Sequence, residues 1–149
     1  MEIKNKQGKL IYSGSIHFIV DDLDLREAML EGAIMEGAHF DDVNLGGANL
    51  RGADLYWAHF FRANLSGVDL EGVQLQGADL KQANLTNANL RNANLGRDNV
   101  GGSTQLQGAK LAGAILDGAR LEGAEYNSET GFPEDFEPKK HRMILRELE

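Results

Sequence analysis

From Leu30 to Leu95 a large apolar residue recurs at every fifth position, and each has Ala or Val two places before it. Leu25 keeps the same phase, with Leu23 in the small position. After residue 95 the phase slips by one, and Leu106, Leu111, Leu116, Leu121 and Tyr126 resume the spacing. A period of five suits neither regular element. An α-helix would turn about 500° per unit, and its apolar row would drift around the surface. A strand alternates with period two, so successive apolar residues would fall on opposite faces. The conflict disappears if every unit contains a bend. Each quintet is then a short extended piece plus a turn. Its large residue, the centre, and the small residue two before it point to one side.

Glycine supports the bend. Eleven of the 18 glycines sit two places after a centre, and Asn87 and Asn92 occupy the same slot. Gly and Asn accept the positive φ that the third residue of a type II turn needs. A flexible linker would not hold glycine in one phase.

The quintets follow the pattern A-(D/N)-L-x-x over about residues 23–126, as in "GANLRGADL" and "NANLRNANL". This resembles the pentapeptide-repeat family. The resemblance implies an all-β fold, a right-handed quadrilateral β-helix with four quintets per coil. Residues 20 apart would then stack at the strand spacing, giving about five coils and a rod about 25 Å long. The expected organisation is an N-terminal cap over 1–22, the repeat rod over 23–126, and a C-terminal cap over 127–149. An open β-helix needs such caps because both ends expose apolar core and unpaired strand edges. "GKLIYSGSIHFIV", with a Ser-Gly turn at 13–14, reads as a strand or hairpin closing the first coil. The tail "YNSETGFPEDFEPKKHRMILRELE" resembles that of many cyanobacterial family members. Phe132 and Phe136 are expected to plug the last coil, and 138–148 to form a short helix.

Adding 20 turns the sequence into columns. Glu31, Arg51, Glu71 and Arg91 form one; Asp42 lies beneath Arg62; Asn44, Asn64 and Asn84 form another; and His39, His59, Asp79 and Asn99 a fourth. Two stacked His do not converge on a tetrahedral point, so no metal is expected. Phe40 and Phe60 should stack inside.

The segment "DLYWAHFFRANL", residues 54–65, breaks the polar surface pattern. Leu55 and Phe60 are centres, but Tyr56, Trp57 and Phe61 fall in outward slots beside Arg62. Exposed apolar patches mark binding sites, and Trp, Tyr and Arg are common interface anchors. Tyr56, Trp57, Phe61 and Arg62 are therefore the expected protein-contact site, the alternative being that the N-terminal segment folds back over them. Within "GRDNVGGSTQ", residues 96–105, Asp98 takes the small inward slot and one residue is inserted. A charge cannot enter that core unpaired, so the coil should bulge outward.

No set of nucleophile, base and oxyanion donors converges in a cleft, so no catalytic residue and no cofactor is expected. No cysteine is present, which fits a reducing cytoplasm. No apolar run is long enough to span a membrane, and none at the start has signal-peptide character. The net charge of −8 argues against direct nucleic-acid binding. Two non-enzymatic classes remain. One is a cytoplasmic protein–protein interaction module, monomeric or weakly dimeric. The other is implied by the resemblance: an acidic DNA mimic that binds a type II topoisomerase such as gyrase. Residues 21–126 carry essentially all the excess negative charge, yet Glu and Arg alternate in their clearest column.

Overall fold

From Leu25 to Leu121, every quintet except the one after Leu95 bends at the same place. The N–H of the small residue donates to the carbonyl of the centre before it, as in Ala28 to Leu25 (3.0 Å), Ala53 to Leu50 (3.1 Å) and Ala88 to Leu85 (3.0 Å). The residue two after the centre has positive φ, 61° at Gly52 and 59° at Asn87. Each L-x-x-A is therefore a type II turn, the geometry that the phased glycines anticipate. The computed structural model describes residues 1–15 and 23–147.

The extended pieces pair in parallel with residues 20 further on. Asp24 bridges Asn44, Asn44 bridges Asn64, and Asn64 bridges Asn84, with the same offset on the other sides of the coil. Four quintets thus make one circuit, and the chain is a four-sided β-helix solenoid. The ladder uses three N–H groups per quintet. The centre donates forward (Leu45 to Asn64 O, 2.8 Å), as does the turn residue (Gly47 to Ser66 O, 3.0 Å), and the residue before the centre donates backward (Asn64 to Val43 O, 3.0 Å). The small residue's N–H closes the turn, which leaves only the donor just after the centre. The Asp or Asn before the centre takes it: Asn44 Oδ1 accepts Gly46 N–H (3.1 Å), Asn64 accepts Ser66 (3.0 Å), and Asn84 accepts Thr86 (3.1 Å). Where the motif carries Asp or Asn, that side chain thus serves the backbone, since a donor left unpaired against the rod is costly.

The centres and small residues form one continuous core, and Leu45, Leu65, Leu85 and Leu106 are fully buried in it. Phe40 and Phe60 stack inside at 5.1 Å and 12°. The expected columns carry contacts. Arg62 forks onto Asp42 (2.8 and 2.7 Å), and Arg51 pairs with Glu71 (2.6 Å). His39 and His59 stack face to face at 4.6 Å. Such exposed pairs contribute about 0–1 kcal/mol each, so they pin register more than they add stability.

The addition rule changes after residue 95. Asp79 bridges Gln105, Asn84 bridges Lys110, and Asn94 bridges Arg120, an offset of 26. Six residues are extruded at the loop, not one, and Gln105 rather than Asn99 stands beneath Asp79. A phase slip read modulo five cannot tell one residue from six.

Both ends differ from expectation. The N-terminal hairpin pairs β1 (Glu2–Lys4) with β2 (Leu10–Ser13), so it turns before residue 10 and not at Ser13–Gly14. Met29 N–H joins it to the repeats through Lys4 O (2.8 Å). Ile16, Phe18, Ile19 and Val20 lie outside the described residues, as does Leu148. In the tail, the expected helix over 138–148 is replaced. Pro138–His141 forms one 3-10 turn, Arg142 reverses the chain at φ 55°, and β4 (Ile144–Leu145) pairs in parallel with β3 (Glu125–Tyr126). The unpaired edge of the last coil offers hydrogen bonds that a helix would leave unused. Tyr126 meets Phe132 edge to face, and Phe132, Phe136 and His141 stack in sequence beside it, with centroids 4.6–5.5 Å apart.

Asn64→Ala removes the acceptor for Ser66 N–H and the amide that Asn44 accepts (3.0 Å). It should cost about 1–2 kcal/mol, measured as a lowered midpoint in denaturant titration. Leu65→Asp puts a charge on the axis and should abolish the folded state; an unchanged melting curve would contradict the register.

Candidate functional site

The turn geometry puts Trp57 and Arg62 at consecutive corners of one coil. Both occupy the positive-φ slot, at 55° and 57°, where glycine is the usual occupant. Left-handed backbone is costly for bulky residues. Tyr56 and Phe61 precede them, each just after a buried centre. The Trp57 side of this edge is rigidly built. The indole lies across Gly77 of the next coil, where an added Cβ would fall 2.7 Å from Nε1. Tyr56 meets Trp57 edge to face at 6.1 Å and 71°. The Tyr56 hydroxyl accepts a hydrogen bond from buried Gln76 Nε2 (2.7 Å), which leaves its own proton to donate.

Trp57 also holds the extruded loop. Its Nε1–H donates to Asp98 Oδ2 at 2.5 Å. The other carboxylate oxygen accepts Val100 N–H (2.9 Å) and Gly102 N–H (2.6 Å). Asp98 has left the inward slot that the repeat phase would give it, and Thr104 fills that slot instead. The Thr104 side chain is fully buried. Its hydroxyl lies 2.9 Å from Leu75 O and 3.2 Å from Gly96 O, and it accepts Gly77 N–H (3.2 Å). Donating to Leu75 O and accepting from Gly77 N–H, this hydroxyl ties the far foot of the loop to the coil that seats the indole.

Trp57 remains 44 % exposed, and Val100 at the loop tip is 82 % exposed. Tyr56 and Phe61 are half-buried and Arg62 is exposed. The Arg62 guanidinium lies 4.9 Å above the Phe61 ring, while its fork holds Asp42. Phe61 N–H donates to Asp41 Oδ1 of the preceding coil (2.8 Å), because His59 stands where Asp or Asn would cap it. The four residues read from sequence thus form two adjacent pairs, Tyr56–Trp57 and Phe61–Arg62. Among the described residues, the N-terminal hairpin pairs with the rod at Ala28 and Met29, and the contact on Trp57 comes from the loop. Asp98 is the residue that sequence reasoning left out of the site. Two signals pointed to it: a charge in a core slot, and a glycine stacked on the one tryptophan.

The Trp57 N–H holds the Asp98 carboxyl below its ordinary range against a smaller cost of burial, helped by the amides of Gly102, Val100 and Gly101. Among the described residues no group of three His, Cys, Asp or Glu is arranged to hold a metal.

A family model described as pentapeptide repeats matches residues 21–56, 53–97 and 104–125, in eight copies. The chain is similar to a solved pentapeptide repeat protein from the cyanobacterium Cyanothece 51142, at 36% identity over 67% of this chain and 64% of that one, with a TM-score of 0.61. It is also similar to one from the Arabidopsis thaliana thylakoid lumen, at 35% identity over 70% of this chain and 66% of that one, with a TM-score of 0.49. The chain thus spans just under two thirds of the length of both. No curated protein matches it.

A depressed carboxyl pKa stabilises the folded form above the unfolded value of about 3.9, and that stability is lost as pH falls through the folded value. Trp57 emission should hold steady from neutral pH to about pH 4 and change only below it. Asp98→Asn should remove that acid transition, and a transition centred above about pH 4 would contradict the assignment. Gly77→Ala sets a methyl against the indole and strains a φ of 73°. It should expel the ring, seen as red-shifted emission and faster acrylamide quenching.

Proposed function

Because this chain belongs to the pentapeptide-repeat family, we propose that it works as a non-enzymatic, rigid protein–protein interaction module whose contact edge is Tyr56, Trp57, Phe61 and Arg62. The observation that carries this reading is Trp57, held by Gly77, Tyr56 and Asp98 and yet 44 % exposed. An aromatic fixed before binding loses little further freedom on association. Tryptophan, tyrosine and arginine together are the composition of an interface centre.

The rod is a right-handed β-helix of about five coils over 23–126, capped by 1–22 and 127–149. It acts in the cytoplasm as a monomer or weak homodimer, without direct contact to nucleic acid or membrane. Among the described residues no helix is long and apolar enough to cross a membrane.

A second reading is an acidic DNA mimic that binds a type II topoisomerase. It is favoured by the concentration of the net charge of −8 within residues 21–126. The pairs Arg51–Glu71 and Arg62–Asp42 weaken it, because they interrupt the acidic columns with cations at coil spacing.

The test compares wild type with Tyr56→Ser/Trp57→Gly/Phe61→Ser in affinity capture from the native cytoplasm, after both are shown to fold. A specific protein retained by wild type and lost by the variant is the expected result. An identical set of captured proteins would remove the aromatic edge from function. Gyrase supercoiling should be unaffected by the wild-type protein; inhibition would favour the mimic.

A further inference from the structure

A basic cleft stands out at the far end of the rod of this acidic chain. A cleft of about 650 Å³ opens between the last coil and the tail. Arg97, Arg120, Lys140 and Arg142 line it, with Glu122 its one carboxylate. The repeat geometry brings these groups together. Arg120 stands beneath Asn94 in the column before the centres. The Arg97 side chain lies across Gly123, where an added Cβ would fall 2.8 Å from Cδ. Gly123 seats Arg97 much as Gly77 seats Trp57. The Gly123 N–H donates to Arg142 O (3.0 Å), and this bond docks the Pro138–Arg142 turn with Lys140 and His141 at the cleft mouth.

The partners are unevenly shared. Arg142 pairs with Glu122 (3.3 Å), and Lys140 with Glu137 (3.1 Å). Arg97 and Arg120 make no ion pair among the described residues. Leu121 also lines the cleft, and no acceptor among the described residues takes its N–H. By the repeat rule a centre donates to the coil beyond, and here that coil has ended. The cleft therefore offers two guanidiniums without acidic partners among the described residues and two more cations. On a chain of net charge −8 the long-range field repels anions, so an anion can be held only by short-range, directed donors.

We propose that this cleft binds a small phosphate-bearing anion, held by Arg97 and Arg120 and closed over by the Lys140–Arg142 turn. Guanidinium forks suit the tetrahedral oxygens of phosphate. The cleft is separate from the aromatic edge, so the proposal stands independently of the interaction reading.

The test is calorimetric titration of the full chain with inorganic pyrophosphate, and with citrate as a carboxylate of similar charge. Arg97→Gln/Arg120→Gln and Tyr56→Ser/Trp57→Gly/Phe61→Ser are titrated beside wild type. Arg97 and Arg120 are exposed, so their replacement should leave the melting temperature unchanged. The expected result is saturable pyrophosphate binding that weakens with added salt and falls about tenfold or more in Arg97→Gln/Arg120→Gln. It should be unaltered in the aromatic variant. Equal binding by wild type and the arginine variant would overturn the site, as would no saturation by about 10 mM. Citrate binding as tightly as pyrophosphate would overturn the phosphate assignment.

Discussion

Satisfaction of backbone donors in a chain with almost no long strands governs this structure. Five N–H groups per quintet must be paired, and the fold does it in one repeating way. Three go to neighbouring coils, one closes the turn, and, where the motif carries Asp or Asn before the centre, that side chain takes the fifth. The core follows from that ladder, since Leu and Ala are what fit on the axis and at the corners.

The aromatic edge uses the slack in that scheme. Corners tolerate residues other than glycine at a steric cost, so a corner is where a large side chain can be shown to solvent without disturbing the core. Trp57 takes one such corner and Arg62 the next. The loop after Leu95 then supplies what the corner lacks. Asp98, expelled from an inward slot, becomes the acceptor for the indole, and Thr104 replaces it in the core. The break in the repeat and the exposed tryptophan are two halves of one contact. At the rod's end the same corner column holds Arg97 against Gly123, where the ladder stops.

Much of this was legible in the sequence because period, phase and chemistry agree over many units. The turn type, the inward centres, the Phe40–Phe60 stack and the Arg62–Asp42 fork follow from counting fives and twenties. The sequence was blind where counting is ambiguous. A slip of one and a slip of six leave the same phase, so the columns below residue 95 were misaligned and Asn99 was set beneath Asp79. The tail was misread as a helix because the apolar residues Met143, Ile144, Leu145 and Leu148 suit a helix face; the free edge of the last coil, which recruits Ile144–Leu145 as a strand, has no local signature. The Trp57–Asp98 bond spans 41 positions and depends on the loop's full length, which the phase alone does not carry.

The absence of cysteine allows the register to be tested directly. Two double variants, Asp79→Cys/Gln105→Cys and Asp79→Cys/Asn99→Cys, place thiols at offsets of 26 and 20 residues. Stacked positions on adjacent coils fall within the Cα spacing of about 4.4–6.8 Å that a disulfide requires. Mild oxidation should close the first pair within one chain and leave the second open, as read by mass spectrometry. Cross-linking of the second pair and not the first would mean that the loop is a one-residue bulge and that Asp98 does not reach Trp57.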